Sequence, residues 1–249
     1  MKKKITGLLL GSLVGFTTLV FATPSTSFWA PSTPYLQPFG VMHVTYDTYF
    51  RDNASYPVDT GLTIGVLPFE KLQMEVGFDL LQPGNYPVSF NGKIGSPENA
   101  LFKGSPGWSF GAFNVGTKKD VTDTNVLYFM LGKTFPVIGE PEIGFYNGLN
   151  KNLMLSSDGG EQRSGLMAGW FSPDIKAPYI NKMVLTADIM TGSNALGAWG
   201  GGIYFYFTPQ ISLLTGPVWF FDREMQPGKA DFLWTMQLDI DFDVKPAKK

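Results

Sequence analysis

The sequence predicts an all-β protein, a closed antiparallel barrel of about 12 strands. Three observations predict this fold. Apolar and polar residues alternate with a period of two, Gly (29 residues) and Pro (18 residues) are abundant, and charged residues make up only 16% of the chain. Gly and Pro both disfavour helix interiors, and low charge is the opposite of what disordered chains require.

Composition also excludes several classes of function. The chain has no Cys, so it has no disulfide framework and no thiolate metal site. It has one His, which excludes a His-rich metal site, and its net charge of −2 gives no basic surface for nucleic acid. We therefore expect no metal, no cofactor and no nucleic-acid partner.

The first 22 residues have the pattern of a secretory signal peptide. Residues 2–4 are three lysines, residues 5–21 carry no charge, and Ala22 is a small residue at a plausible cleavage point. The alternative is an uncleaved membrane anchor, because the apolar run approaches the length of a membrane span. Several Gly and Thr within the run and a Pro directly after it favour cleavage.

The rest of the chain divides into three parts by pattern. Residues 23–38 contain four Pro and several Ser and Thr, which predicts an irregular leader. Residues 39–243 carry the alternating pattern and form the predicted barrel. Residues 244–249 are a short basic tail.

The first strands are clear from the alternation alone. Over residues 43–51, large residues alternate with polar ones, which is typical of an amphipathic strand. Residues 61–66 and 72–80 alternate in the same way on either side of a turn at Pro68, which predicts a hairpin. Continuing along the chain, we expect strands centred near residues 45, 62, 76, 91, 111, 129, 145, 168, 186, 203, 214 and 237.

The last predicted strand shows which face of the sheet is apolar and which is polar. Over residues 231–242, six large apolar residues alternate with a face that carries three acids. Every second connection between strands contains Pro, and the intervening ones hold much of the loop charge. The Pro set is therefore predicted as periplasmic turns and the charged set as outer loops.

Lipid is the expected surrounding of the apolar face. The alternating bulky residues are too many for the interior of one small barrel, and a closed sheet is one of two structures that can span a bilayer. Aromatic residues near strand ends would form the interfacial girdles: Phe39, Trp108, Tyr128, Trp170, Tyr179, Trp219, Phe220 and Phe221. A spanning helix over residues 189–221 is rejected because that run contains six Gly and alternates with a period of two.

A family resemblance supports the same architecture. The runs 91–99, 113–118, 125–128, 132–134 and 194–197 look like those of a group of uncharacterised, porin-like outer-membrane β-barrel proteins of bacteria. The resemblance covers about two thirds of the mature chain. It implies an outer-membrane location and a barrel architecture, and it implies no activity. We expect the partners of such a barrel to be outer-membrane lipid and the barrel-assembly machinery, and the protein to be a monomer or weak oligomer.

Strand parity places a polar set on the inner face of the predicted barrel. Acids exceed bases in this set, which favours cations or polar neutral solutes if the lumen is open. Glycines on the same face, including Gly65, Gly111, Gly200 and Gly202, slightly favour an open path because they leave volume free; the alternative is that they ease the curvature of the wall. The set comprises His43, Asp47, Asp59, Glu75, Asp79, Lys93, Asp188, Tyr204, Tyr206, Asp239 and Asp241.

Three functions follow, in decreasing order of support. The first is a passive channel for small polar or cationic solutes. The second is a structural or adhesive barrel, in which acids and tyrosines close the lumen by hydrogen bonds and the loop from Asn147 to Ser164 binds a partner. The third is a lipid-modifying enzyme using His43 as a base. No nucleophile can be assigned by spacing, so we expect no enzyme.

Overall fold

Twelve antiparallel strands close into one barrel in the computed structural model of the chain. The structure describes residues 26–31, 33–52, 54 and 56–244. The predicted signal peptide, at residues 1–22, lies outside the described residues. So do residues 245–249 of the tail.

Each strand contains the residue at which the alternation predicted a centre, so the prediction of about 12 strands is confirmed. The pairing runs in sequence order, and β1 pairs with β12 to complete the ring. The strands are β1 (Val41–Phe50), β2 (Val58–Gly65), β3 (Gln73–Gln82), β4 (Val88–Ser96), β5 (Gly107–Gly116), β6 (Val126–Gly132), β7 (Glu140–Gly148), β8 (Ser164–Phe171), β9 (Lys182–Met190), β10 (Ala198–Tyr206), β11 (Ile211–Phe220) and β12 (Phe232–Asp243).

The connections fall alternately at the two ends of the barrel. At the terminal end the chain enters and leaves, and the N–H of Val244 donates to the carbonyl of Gly40 at 2.9 Å. The opposite, distal end carries the connections after odd-numbered strands. The two predicted sets of connections lie at opposite ends, the Pro set at the terminal end and the charged set at the distal end. Proline alone does not separate the two ends, because Pro57, Pro83 and Pro227 lie in distal connections. Pro suits turns of many kinds, so it occurs at both ends.

Helical structure is confined to short turns in the described part of the chain. Two 3-10 turns, Arg223–Met225 and Pro227–Lys229, lie in the connection between β11 and β12. Among the described residues, no helix is long and apolar enough to cross a membrane.

The two faces of the wall differ in chemistry as the alternation predicts. On β7 and β8, Phe145 and Leu166 are 56% and 61% exposed on the outer face. On β12, Leu233, Thr235 and Asp241 are buried on the inner face. A sheet that turns bulky apolar side chains outward and polar ones inward has the pattern of a transmembrane barrel.

Two of the aromatics expected at the interfacial girdles face inward instead. Tyr128 is 4% exposed and shares its face of β6 with Val126 and Met130, both fully buried. Phe220 packs against Trp29 inside the barrel, with ring centroids 5.5 Å apart. The sequence places these residues near strand ends correctly but not on the correct face. Phe39, Tyr179 and Phe221 are exposed.

A charge placed midway along the outer face should be costly in lipid, and one at a strand end should not. Phe145→Arg lies near the middle of β7 and should destabilise the barrel in lipid vesicles by about 2–4 kcal/mol. Phe232→Arg, at the first residue of β12, should cost about 0–1 kcal/mol. Denaturant titration of the vesicle-embedded protein measures both, and equal costs would contradict a lipid-facing belt.

Candidate functional site: the barrel lumen

Described residues that precede the first strand lie inside the barrel. Phe28, Ala30 and Gln37 are each at most 1% exposed, although they belong to neither a helix nor a strand. We call residues 26–31 and 33–38 the plug. The sequence predicts an irregular leader here, and nothing in its composition indicates that it folds into the lumen.

Asp188 on β9 holds the distal part of the plug. Its Oδ2 atom accepts hydrogen bonds from three consecutive backbone N–H groups, those of Phe28 (2.9 Å), Trp29 (2.9 Å) and Ala30 (2.8 Å). Buried N–H groups outside a sheet need such an acceptor, and bonds to a carboxylate are stronger than neutral ones. The carboxylate thus accepts the hydrogen bonds that backbone carbonyl groups of a neighbouring strand would accept in a sheet.

Further wall side chains anchor the plug at its two ends. Ser27 donates to Glu142 Oε2 at 2.7 Å, and Gln237 donates to the carbonyl of Phe28 at 3.0 Å. Near the terminal end, the N–H of Gln37 donates to Glu75 Oε2 at 2.6 Å. Sequence reasoning missed Glu142, although its alternation with the outward Ile143 and Phe145 carries the signal.

The ring of Phe28 sits in a socket of glycines on β10 and β11. A Cβ atom at Gly200, Gly202 or Gly216 would lie 2.7, 2.6 or 3.0 Å from a carbon of this ring. Real Cβ atoms do not approach so closely, so the wall has room for Phe28 because these positions lack side chains.

The inner glycines therefore do not mark an open path, and that interpretation of the sequence is wrong. Phe28 occupies the space beside Gly200 and Gly202. Pro38 of the plug lies against Gly65, and the ring of Tyr128 covers Gly111. Strand parity identifies a position on the inner wall but does not show which side chain fills the space beside it.

A cavity of about 520 Å³ lies on the distal side of the plug. Plug residues Trp29 and Ala30 line it from one side. Five acids lie on its wall, and among its described lining residues Arg51 is the basic one. Burial lowers the pKa of Arg51 from its ordinary value. The acids are Asp47, Asp59, Glu75, Asp79 and Asp239.

Three of these acids form a compact group on β1, β2 and β3. Asp47 and Asp59 are direct partners in the antiparallel register, and Asp79 is the partner of Gly61. Neutral groups hydrogen-bond two of the carboxylates: Thr45 donates to Asp47 at 2.5 Å, and Asn91 donates to Asp79 at 2.6 Å. Like acids in opposed positions repel each other, so their grouping has a cost in stability.

Toward the terminal end, acids on the inner wall meet bases. The Nδ1 atom of His43 lies 2.6 Å from Asp241 Oδ1, and its Nε2 atom lies 3.4 Å from Asp239 Oδ1. Lys93 lies 3.5 Å from Glu75. His43 is 1% exposed and faces the interior, so it does not reach the lipid-facing surface where a lipid substrate would lie.

The two tyrosines of the expected set pack beside the plug. The hydroxyl of Tyr204 donates to the carbonyl of Thr26 at 3.2 Å, and its ring stacks on Tyr206 at 5.6 Å. Lys182 lies over the ring of Tyr206. Of the eleven residues expected on the inner face, six line the cavity: Asp47, Asp59, Glu75, Asp79, Tyr204 and Asp239. Lys93, Asp188, Tyr206, Asp241 and His43 lie outside its lining.

Three distal connections are bonded to one another. In the connection between β7 and β8, the N–H of Ser157 donates to Asp222 at 2.8 Å. Asn194 donates to the carbonyl of Gln162 at 2.7 Å, and Gln226 donates to the carbonyl of Ala195 at 2.9 Å. The loop from Asn147 to Ser164 is therefore tied into a layer with its neighbours.

A network at the terminal end, outside the strands, joins two connections. Lys133 donates to Glu98 at 2.7 Å, and the hydroxyl of Thr134 donates to it at 2.6 Å. Burial raises the pKa of Glu98, but the bonds from Lys133 and Thr134 outweigh it and hold the pKa below its ordinary value. Among the described residues, no group of three or more His, Asp or Glu side chains is arranged to hold a metal ion.

Comparison with known proteins gives distant structural likenesses. No protein-family model matches the chain, and no curated protein matches it. It is similar to an outer membrane channel from Pseudomonas putida F1, with 12% identity, a TM-score of 0.48, and coverage of 86% of this chain and 99% of that one. It is also similar to the NanC porin, with 9% identity, a TM-score of 0.49, and coverage of 81% and 100%.

Removing the Asp188 carboxylate should loosen the distal part of the plug. Asp188→Ala leaves the N–H groups of Phe28, Trp29 and Ala30 without this acceptor, and bonds to charged groups are worth about 1.5–3 kcal/mol each. Hydrogen exchange at these three amides should accelerate by about tenfold or more. Asp188→Asn keeps an oxygen acceptor and should show a smaller effect; unchanged exchange in the alanine variant would contradict the anchor.

Proposed function

We propose that the protein is an outer-membrane β-barrel channel for small polar or cationic solutes. The observation that carries this proposal is the acid-rich cavity inside a closed barrel whose outer face is apolar. A water-filled cavity lined by carboxylates attracts cations and accepts hydrogen bonds from neutral solutes.

The outer face supports a membrane location. A closed ring of strands pairs its backbone groups within the sheet, so it meets the requirement that a bilayer imposes on any spanning structure. Exposed apolar side chains occur on strands around the ring, for example Phe110 on β5, Ile143 on β7 and Trp234 on β12. In water this much apolar surface would drive aggregation, whereas in a bilayer it would contact the apolar chains of the lipid.

Export and assembly complete this proposal. A signal peptide over residues 1–22 would carry the chain across the inner membrane, and the barrel-assembly machinery would insert it with its terminal end in the periplasm. The partners are then outer-membrane lipid and small polar solutes. The barrel acts as a monomer or weak oligomer, without a cofactor.

The charge balance of the cavity supports the preference for cations. Five acids and one arginine line it. Glu75 and Asp239 have the bases Lys93 and His43 beside them, whereas Asp47 and Asp59 face each other across neighbouring strands. A carboxylate 4 Å from a monovalent cation attracts it by about 1 kcal/mol in water and by about 4 kcal/mol at an effective dielectric constant of about 20. The same carboxylates repel an anion by a similar amount.

A specific observation also favours a second candidate, a structural barrel with a closed lumen. The plug occupies the lumen on the terminal side of the cavity, and its contacts with Asp188 and Glu142 are well formed. The two candidates differ in one property, since a channel passes ions and a closed structural barrel does not. Conductance of the protein in a planar bilayer distinguishes them.

Neutralising the acidic group should weaken cation selectivity. The triple variant Asp47→Asn, Asp59→Asn, Asp79→Asn removes three of the five cavity acids, and the permeability ratio of K⁺ to Cl⁻ should fall about fivefold or more. The reversal potential in a KCl gradient reports this ratio.

The matched control places the same change outside the lumen. Asp120 is exposed in the distal connection between β5 and β6, and Asp120→Asn should leave the reversal potential unchanged. Anion selectivity of the unaltered protein would contradict the proposed solute class. Absence of conductance at every applied voltage, both in the unaltered protein and in Asp188→Ala, would favour the structural barrel.

The membrane location has its own test. The protein should fractionate with the outer membrane, and its gel migration should change on boiling, because closed barrels resist detergent until heated. Recovery of the folded protein in the soluble periplasmic extract would overturn the location.

A further inference from the structure

We propose that the plug is a displaceable gate, which closes the lumen between the acidic cavity and the terminal end and opens by withdrawing from its seat. This inference rests on the proposed channel function. It adds a mechanism of control, since the channel would conduct when the plug leaves and not when it is seated.

The first argument is that the plug divides the lumen. Thr26, Trp29, Ala30 and Pro31 line the cavity from one side. Farther along the plug, Pro34 lies close to Gly132 at the terminal end of β6, and Gln37 binds Glu75 near the terminal end of β3. The same short segment therefore extends from the cavity to the terminal end, along the path that a solute would take.

The second argument is that the plug is bound differently from the wall. The wall strands are joined by continuous backbone ladders, which close on themselves through β1 and β12. The plug is held by side chains of the wall, such as Asp188, Gln237 and Glu75, which bind its backbone groups. These contacts can break while the ladders stay intact, so the plug can leave at a lower free-energy cost than barrel opening.

The third argument concerns the composition of the plug. Pro31, Pro34 and Pro38 have no backbone N–H, so they cannot donate a hydrogen bond to the wall. They also restrict the backbone, which favours an extended and rather stiff segment. The anchors include residues 27–30 and Gln37, and between them Thr33 and Tyr35 bond to Glu142 and Glu140. The described parts of the plug are thus held by bonds to wall side chains, and these bonds can break without disturbing a backbone ladder.

The fourth argument is the shape of the empty seat. Phe28 fills space beside Gly200, Gly202 and Gly216, which contribute no side chains of their own. When Phe28 leaves, no wall side chain at these three positions can take its place. The space that Phe28 vacates would therefore stay free of side chains from these positions.

The distal loops are connected to this gate. Trp29 packs against Tyr49 at 6.0 Å and Phe220 at 5.5 Å, and its indole N–H donates to the carbonyl of Leu196 at 3.1 Å. Leu196 belongs to the connection between β9 and β10. Withdrawal of the plug breaks this bond, so the distal surface and the gate are mechanically linked.

A reversible disulfide can test the gate directly. A Cβ atom at Gly169 on β8 would lie 3.2 Å from the Cβ of Ser27, slightly below the usual range of about 3.5–4.5 Å for disulfides. It would also lie 2.5 Å from Glu142 Oε2, so the flexible end of the Glu142 side chain must shift to admit it. The chain has no Cys, so no other thiol competes. In Ser27→Cys, Gly169→Cys, oxidation should lock the plug and reduce the bilayer conductance by about tenfold or more, and a reductant should restore it.

The single variants Ser27→Cys and Gly169→Cys are the matched controls, and their conductance should not respond to oxidant. If the oxidised double variant conducts as well as the reduced one, solutes pass a static plug; the gate is then wrong while the channel stands. If the unaltered protein, the reduced double variant and Asp188→Ala all fail to conduct, the proposed channel function is wrong.

A chemical measurement tests plug movement without relying on conductance. Ser27 and Thr124 are both fully buried, but only Ser27 belongs to the plug; Thr124 lies in the distal connection between β5 and β6. A water-soluble maleimide should label Ser27→Cys about tenfold faster or more than Thr124→Cys, because plug withdrawal exposes only the former. Equal labelling rates, with both folded as shown by heat-modifiable migration, would overturn the displaceable plug.

Discussion

Closure of the backbone ladder is the constraint on which the rest of the structure depends. Once β1 pairs with β12, every strand has two neighbours and the sheet has no edge. Each residue of a strand must then point either out of the barrel or into it. The wall therefore sorts the side chains of the chain into two sets, and the alternation of the sequence determines the composition of each set.

The interior that results is crowded and unevenly charged. Toward the terminal end, acids meet basic partners, as Asp241 meets His43 and Glu75 meets Lys93. On the distal side, Asp47 and Asp59 face each other across the register, and their cavity contains one arginine. A stable core would separate or pair such acids, so their grouping beside open space is better explained by function than by stability.

The plug gives the interior a second level of organisation. It supplies backbone N–H groups to the carboxylates of Asp188 and Glu75, which would otherwise be poorly solvated inside a narrow barrel. It also places the ring of Phe28 against glycines, at positions where any larger residue would clash with that ring. Wall and plug are thus complementary in both charge and shape, which is what a gate that reseats in one position requires.

Local pattern was sufficient to determine the wall. Alternation gave the strand number and position, the antiparallel order and the outward direction of residues such as Phe145, because a strand has a period of two wherever it lies. Parity applied to β7 would also have identified Glu142. The prediction from sequence is wrong at Tyr128 and Phe220, because an aromatic residue near a strand end faces outward only if its neighbours on the same face do.

Only the tertiary structure decided what fills the lumen. The plug has no period, and its place is set by partners far away in the chain, such as Asp188, 160 residues from Phe28. For the same reason the sequence does not show what the inner glycines do. A position without a side chain can leave free space or can receive a side chain from elsewhere in the chain, and only the packing decides which. The sequence by itself determined the wall of this barrel because each strand carries its own alternation. The interior required the folded chain, because long-range packing is encoded in no single segment.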